Sequence, residues 1–329
     1  MSLGVLCLVA ALLSWCLTIA LEKRAERMGL VQQPNHRSSH VVPTPSGGGV
    51  AIAVATLAAG STLGLPLVLV AAALIAGLGF VDDLRDLPAA LRFPVQGVIF
   101  GGLLWALGPL PPIGIVGGVV LAVVVLFAGL WWLNLFNFMD GIDGLAGSQA
   151  VLILCGFCLV WWTADADAVS APAFWLALVT AAATLGFLLR NWPPARIFMG
   201  DAGSNALALI IFAIALLTIA DGGMLYEAWL ILPAVFVSDA TVTLLRRIAR
   251  GERPWHAHRR HAYQQLARQW GHRPVTLLYG ALTIVWALPL ALLAQHGAGW
   301  GWPLVVLAYA PLAGCAVWAK AGAAGEMSA

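Results

Sequence analysis

The stretch Phe198-Met-Gly-Asp-Ala-Gly-Ser204 runs directly into Asn205-Ala-Leu-Ala-Leu-Ile-Ile-Phe-Ala-Ile-Ala-Leu-Leu-Thr-Ile219. An acid flanked by glycines thus stands at the entrance to an apolar run, about 203–219, long enough to cross a bilayer as a helix. The pattern recurs along all 329 residues. Apolar stretches of about 16–21 residues fall at roughly 3–21, 49–64, 66–81, 93–108, 115–133, 146–163, 172–190, 203–219, 227–246, 274–294 and 301–319. The second and third are short and joined through Gly64-Leu65-Pro66. No strand-period alternation appears. The expected fold class is therefore all-α: a polytopic membrane protein of about 11 transmembrane helices, forming one integral membrane domain over 1–329.

Composition agrees. Charged residues make up 10% of the chain, against roughly 25% in a soluble domain. The hydrophobic fraction is 61% and the mean hydropathy +0.90. Such a chain is not a secreted disulfide scaffold, a disordered segment or an ordinary cytosolic enzyme. Cys155 and Cys158 have C-x-x-C spacing but lie in an apolar helix, where packing is the simpler reading. Gly97 and Gly101 suit close helix contact.

The charges also give an orientation. Lys23, Arg24 and Arg27 follow the first span and no basic residue precedes it, which predicts an uncleaved first helix with the N-terminus outside. Counting alternately, all 17 Lys and Arg fall on the inner side, with the C-terminus. The outer loops hold Asp165, Asp167, Asp221, Glu227 and His296. The inner segments, about 22–48, 82–92, 134–145, 191–203 and 247–273, carry the polar chemistry, and ionisable residues beside spans are functional candidates.

In the first inner segment, Pro34-Asn-His-Arg37-Ser-Ser-His40 precedes Pro43-Thr44-Pro-Ser-Gly-Gly-Gly49. Three glycines entering a helix allow close backbone approach to an anion; a flexible basic loop beside lipid headgroups is the plainer alternative. The adjacent acids Asp82 and Asp83 repel, so a cation must offset them: a divalent metal, or Arg85 and Arg92 in an ion-pair network. Asn134, Asn137 and Asp140 are spaced to share a helix face, and Asp143 follows in a Gly-flanked turn. Hard oxygen ligands with glycines suit Mg²⁺ and a phosphate. Asp201 is either such a ligand or an ordinary helix cap. His258 and His261, with neighbouring arginines, can contact phosphate or move protons. Asp239 lies about two turns inside the ninth span, to pair with a basic residue or face the site. All this converges on one membrane face, as expected of an enzyme joining a phosphorylated cytosolic substrate to a membrane-resident one. An intramembrane aspartyl protease and a secondary transporter are the rivals; the latter needs midplane polar residues and access from both sides.

In order, these segments resemble the polyprenyl-phosphate N-acetylhexosamine-1-phosphate transferase superfamily. The resemblance rests on Asp82-Asp83, Asn137-x-x-Asp140-Gly-x-Asp143-Gly and Phe198-Met-Gly-Asp201-x-Gly-Ser, and runs from about residue 34 to 264. The first segment and His258-Arg-Arg-His261-Ala-Tyr-Gln look like the branch that primes O-antigen, although Tyr263 and Gln264 stand where common-antigen enzymes have histidines. The resemblance implies attack of undecaprenyl phosphate on the β-phosphorus of a UDP-N-acetylhexosamine in the bacterial inner membrane, with UMP leaving and Mg²⁺ (or Mn²⁺) as cofactor. It implies Asp201, Asp83 and Asp140 as metal ligands, and Asp82, Asp83, Asn137, Asp140 and His261 at the catalytic centre. Asp143, Asn191 and Phe198 are similar to nucleotide-side residues, with Phe198 placed to stack on uracil; Arg37, His40, Thr44 and His258 are expected to bind substrate. The expected partners are the two substrates and the bilayer, without nucleic acid, and a homodimer is compatible with this.

Overall fold

The computed structural model describes residues 3–32, 43–252, 258–297 and 299–323. Helix α1 (Leu3–Met28) leads through a small antiparallel ribbon, β1 (Val31–Gln32) on β2 (Thr44–Pro45), into α2 (Gly49–Gly60). There follow α3 (Pro66–Arg85), α4 (Ala89–Leu107), α5 (Gly118–Phe138), α6 (Leu145–Ala164), α7 (Pro172–Asn191) and α8 (Asp201–Ala220). The chain ends with α9 (Tyr226–Ile231), α10 (Ala234–Ile248), α11 (Ala262–Trp270), α12 (His272–Leu282), α13 (Leu288–His296) and α14 (Gly301–Trp318). A π-helical turn, Thr283–Ala287, joins α12 to α13 in one continuous run. Pro66 and Pro172 open α3 and α7, where a missing N–H costs no helical hydrogen bond.

Among the described residues, nine helices are long and apolar enough to cross a membrane: α1, α3 to α8, the α12–α13 run and α14. The other two expected spans differ. The stretch expected at 49–64 forms a helix of only 12 residues, about 18 Å long by the helical rise against a hydrocarbon core of about 30 Å. The stretch expected at 227–246 is broken between α9 and α10 at Pro233, whose ring cannot continue a helical ladder.

Helix α8 is the buried centre, packed on α2, α3 and α5, while α7 lies between α1 and α6. Peripheral α4 buries only Gln96, Phe100 and Leu103 and turns Val98 and Trp105 outward. An apolar exterior of this kind suits lipid rather than water.

Two close approaches set the polar end of this centre. A Cβ built on Gly79 of α3 would lie 2.6 Å from the Asp201 carbonyl carbon and 2.7 Å from Ala202 N. A Cβ on Gly49 of α2 would lie 2.7 Å from Gly203 N. Both helices therefore touch the first turn of α8 backbone to backbone. Gly48 N also donates to Phe198 O (2.9 Å), and Gly49 N to Met199 O (2.8 Å). The glycine run is thus pinned to the chain itself at Gly48 and Gly49. Its close approach is to the chain's own 198–199 segment, which it holds in place.

Candidate active site

A polar cleft of about 750 Å³ opens beside this junction, its walls including Gln32, Ser46, Asp82, Asp83, Arg92 and Asp201. Successive helical residues point about 100° apart, so the two adjacent acids face different partners. Asp82, 5% exposed, accepts from Leu87 N (2.7 Å) and forms an ion pair with Arg92. Asp83 faces α8: its two oxygens accept from Asp201 N (2.8 Å) and Ala202 N (3.1 Å). A carboxylate from α3 thus satisfies the first free N–H groups of α8 and complements the positive end of its dipole.

Asp201 stands between two donors. Its Oδ1 accepts from Asn137 Nδ2 (2.8 Å), and its Oδ2 lies 3.2 Å from Arg92 Nη1. Asn137 also donates to Ser204 Oγ (3.1 Å). Asn134, one turn earlier, turns to Leu130 O (2.8 Å) and to Gln96 on α4. Arg92 is the arginine alternative for offsetting the acid pair, and it bridges Asp82 to Asp201. Just past α5, Asp140 is partly buried. That burial, with the carboxylates of Asp201, Asp83 and Asp143 adding, pushes its carboxyl well above the usual range.

Among the described residues, no group of three or more His, Cys, Asp or Glu side chains is arranged to hold a metal ion. The donor chemistry nonetheless suits one. Asp83, Asp140, Asp201 and the Asn137 amide offer only hard oxygen ligands, and the acid charge at Asp140 lacks compensation; a hard divalent cation answers both.

A second cluster joins the 139–144 loop to the 192–198 loop. Buried Asn191 accepts from Gly144 N (3.0 Å) and donates to Ile197 O (2.9 Å). Asp143 Oδ2 accepts from Ala195 N (3.0 Å), and Asp143 Oδ1 lies 3.1 Å from His272 Nδ1. Asn191 and Asp143, expected on the nucleotide side, thus brace the backbone there. Phe198 is half-buried, and its backbone N–H donates to Pro45 O (2.8 Å). Thr44 lies in the ribbon opposite Gln32.

A third cluster holds the histidines. His261 is 3% exposed, and its ring stacks between those of His258 (centroids 4.9 Å apart) and Tyr263 (5.6 Å). Burial, the His261 imidazole and the cations of Arg247 and Arg260 push His258 down to about 3. It is therefore neutral at pH 7. Arg37 and His40 lie outside the described residues.

Ser204, Tyr263 and His272 join these clusters without a role in the sequence-based assignment, and Asp239, expected to pair with a basic residue or face the site, lies 3.6 Å from His261 Nδ1. Asp239 had a signal, an acid within a span. His272 had none, because only the turn of the chain at Gly271 brings it to Asp143.

Comparisons with known proteins agree with this geometry. Residues 65–219, which carry Asp82, Asp83, Asn137, Asp140 and Asp201, match glycosyl transferase family 4. The chain is 31% identical over 318 residues to a decaprenyl-phosphate N-acetylglucosaminephosphotransferase of Mycobacterium leprae, covering 83% of this chain and 79% of the relative. It is 29% identical over 264 residues to a probable undecaprenyl-phosphate N-acetylglucosaminyl 1-phosphate transferase of Bacillus subtilis, covering 74% and 72%. It is 26% identical over 282 residues to the undecaprenyl-phosphate alpha-N-acetylglucosaminyl 1-phosphate transferase of Escherichia coli, covering 75% and 71%. With its acids, asparagine and glycines gathered on one end of an apolar bundle, the chain belongs to glycosyl transferase family 4, among the polyprenyl-phosphate N-acetylhexosamine-1-phosphate transferases.

Proposed function

We propose that the protein transfers N-acetylhexosamine 1-phosphate from a UDP-sugar to undecaprenyl phosphate, releasing UMP and starting a lipid-linked glycan of the cell envelope, such as O-antigen. The observation that carries this reading is the cleft where Asp82, Asp83 and Asp201 meet Arg92 beside Asn137. An oxygen of the lipid phosphate attacks the β-phosphorus of the donor. The bond from that phosphorus to the bridging oxygen breaks, and UMP leaves with both bonding electrons. One diphosphate replaces another. The attacking phosphate is already anionic near neutral pH, so it needs little help from a base. The larger task is to bring two anions together, which favours positive charge fixed at the reacting centre.

Arg92 supplies one such charge. Asp201, Asp83 and Asp140 would hold Mg²⁺, or Mn²⁺ in its place, and the ion when bound would neutralise diphosphate charge. Asn137 orients Asp201, and Phe198 offers a face for the uracil. The bundle sits in the bacterial inner membrane with its N-terminus outside, its C-terminus inside and the cleft on the cytoplasmic side. The basic residues at the cleft end, such as Arg92 beside Asp82 and Arg190 paired with Glu22 at the end of α1, support this placement. The protease and transporter alternatives account for neither the family membership nor the brace that the glycines form.

Purified protein given Mg²⁺, a polyprenyl phosphate of either relative's type and a panel of UDP-sugars is expected to release UMP. The relatives' names make UDP-N-acetylglucosamine the first donor to try. Folded protein that releases no UMP with any pair would overturn the reading. In the same assay His272→Ala, which removes one partner of Asp143, is expected to raise KM for the nucleotide sugar several-fold and leave KM for the lipid unchanged. An equal rise in both would remove His272 from the nucleotide side.

A further inference from the structure

One buried acid has no part in the chemistry above. Asp239, midway along α10, is 2% exposed. A carboxylate taken out of water is costly unless its oxygens are fully hydrogen-bonded. Here four donors meet it. Oδ1 accepts from Ala262 N (2.7 Å) and Thr243 Oγ1 (3.2 Å). Oδ2 accepts from Tyr263 N (2.9 Å) and from the Tyr279 hydroxyl (2.6 Å). Ala262 and Tyr263 are the first two residues of α11, so α10 caps a helix that begins 23 residues later.

What α11 carries makes that cap consequential. His261 immediately precedes the helix, its Nδ1 3.6 Å from Asp239 Oδ1. Its backbone N–H donates to Gln264 Oε1 (3.3 Å). In the first turn, the Tyr263 hydroxyl donates to Phe138 O (2.9 Å), two residues before Asp140. A Cβ on Gly141 would overlap that hydroxyl and come within 3.1 Å of Tyr263 Cζ. The phenol therefore lies directly against the loop that presents Asp140.

We propose that Asp239 is a positioning residue: through the first turn of α11 and the Tyr263 hydroxyl, it fixes the Asp140 loop and His261 relative to the acids of α3 and α8. The proposal rests on the transferase reading for its effect on turnover, but the brace itself is a property of the fold. Asp239 touches no reacting atom. It acts at a distance because the N–H groups of Ala262 and Tyr263, which open a short helix, find their acceptor on α10.

Two tyrosines provide the test. Tyr263→Phe removes the hydrogen bond to the Asp140 loop, whereas Tyr279→Phe removes a bond to the Asp239 carboxylate without touching the loop. Each deletes one buried hydroxyl. If the network were only structural, their effects would match. The proposal expects Tyr263→Phe to lower kcat about tenfold, on the scale of misplacing a catalytic group, with KM for both substrates little changed. It expects Tyr279→Phe to keep wild-type kcat. Asp239→Asn should lower kcat at least as far as Tyr263→Phe, and adding Tyr263→Phe to it should cost nothing more, because both act through one contact. Hydrogen exchange of the 139–144 amides should quicken in Tyr263→Phe alone of the two tyrosine variants. Equal kcat and equal exchange in the two variants would overturn the proposal, and so would additive losses in the double variant. If Asp239→Asn does not fold, the tyrosine pair decides. Wild-type UMP release is measured first, so a failed transferase reading appears as a silent wild type while the exchange comparison still tests the brace.

Discussion

Asp201→Asn is expected to lower kcat by about 10²–10³-fold, the usual loss when one preorganised electrostatic group is removed from a reacting centre. The fold should hardly change. It is the backbone N–H of Asp201, not its side chain, that donates to the capping carboxylate of Asp83. The new amide keeps an oxygen for Asn137 but turns its NH₂ toward Arg92, donor against donor. Asp83→Asn should behave differently. Its amide nitrogen would face a backbone N–H at the start of α8, leaving a buried donor unmet at a cost of about 1–3 kcal/mol. Turnover and thermal stability should then fall together. The measurements are UMP release and detergent-phase thermal unfolding of both variants beside wild type. Unchanged rates in both, or a stability loss confined to Asp201→Asn, would remove these assignments.

Gly79→Ala is expected to have the second large effect although it adds only one methyl group and removes no functional side chain. The new carbon would press on the Asp201 carbonyl carbon and Ala202 N. Backbone cannot swing aside as a flexible side chain can. Helix α3 must therefore move off α8, at roughly 1–3 kcal/mol of overpacking. That shift pulls Asp83 from its two N–H donors and opens the spacing between Asp82 and Asp201. Displacement of catalytic groups by about 1 Å can cost 10²-fold, so turnover should fall by more than the stability loss alone explains. Gly77, half a turn away on the same helix, is the control: nothing lies within 4 Å of a Cβ there. Gly77→Ala should raise helix propensity and leave activity at the wild-type level. Like behaviour of the two variants would mean that the α3–α8 approach does not set the site.

Arg92 shows where sequence reading stops. Its type and neighbourhood mark it as an alternative to a metal beside the acid pair, and the structure adds that it reaches Asp201 as well. The two residues are 109 positions apart, and no local pattern encodes that meeting. The glycine run at 47–49 has the same lesson in reverse. Its composition suits an anion cradle, yet the amides of Gly48 and Gly49 are taken by Phe198 and Met199. Asn191 and Asp143 make backbone contacts that no local pattern encodes. Amide and carboxylate groups that could contact a nucleotide also suit bracing two loops, and only coordinates tell which oxygen meets which N–H.

The sequence by itself determined the helical membrane architecture and the family, because hydrophobic runs and contiguous motifs are local and the bilayer reads them segment by segment. It also named the acids. Only the tertiary structure decided that Asp82 pairs with Arg92 while its neighbour caps α8, that α2 stops at 12 residues and that Pro233 divides the ninth stretch. It alone revealed Asp239 and Tyr263 behind the Asp140 loop. The physical reason is that buried carboxylates must find several donors at once. Those donors come from helices distant in sequence, and the packing of glycines against backbone determines which of them arrive.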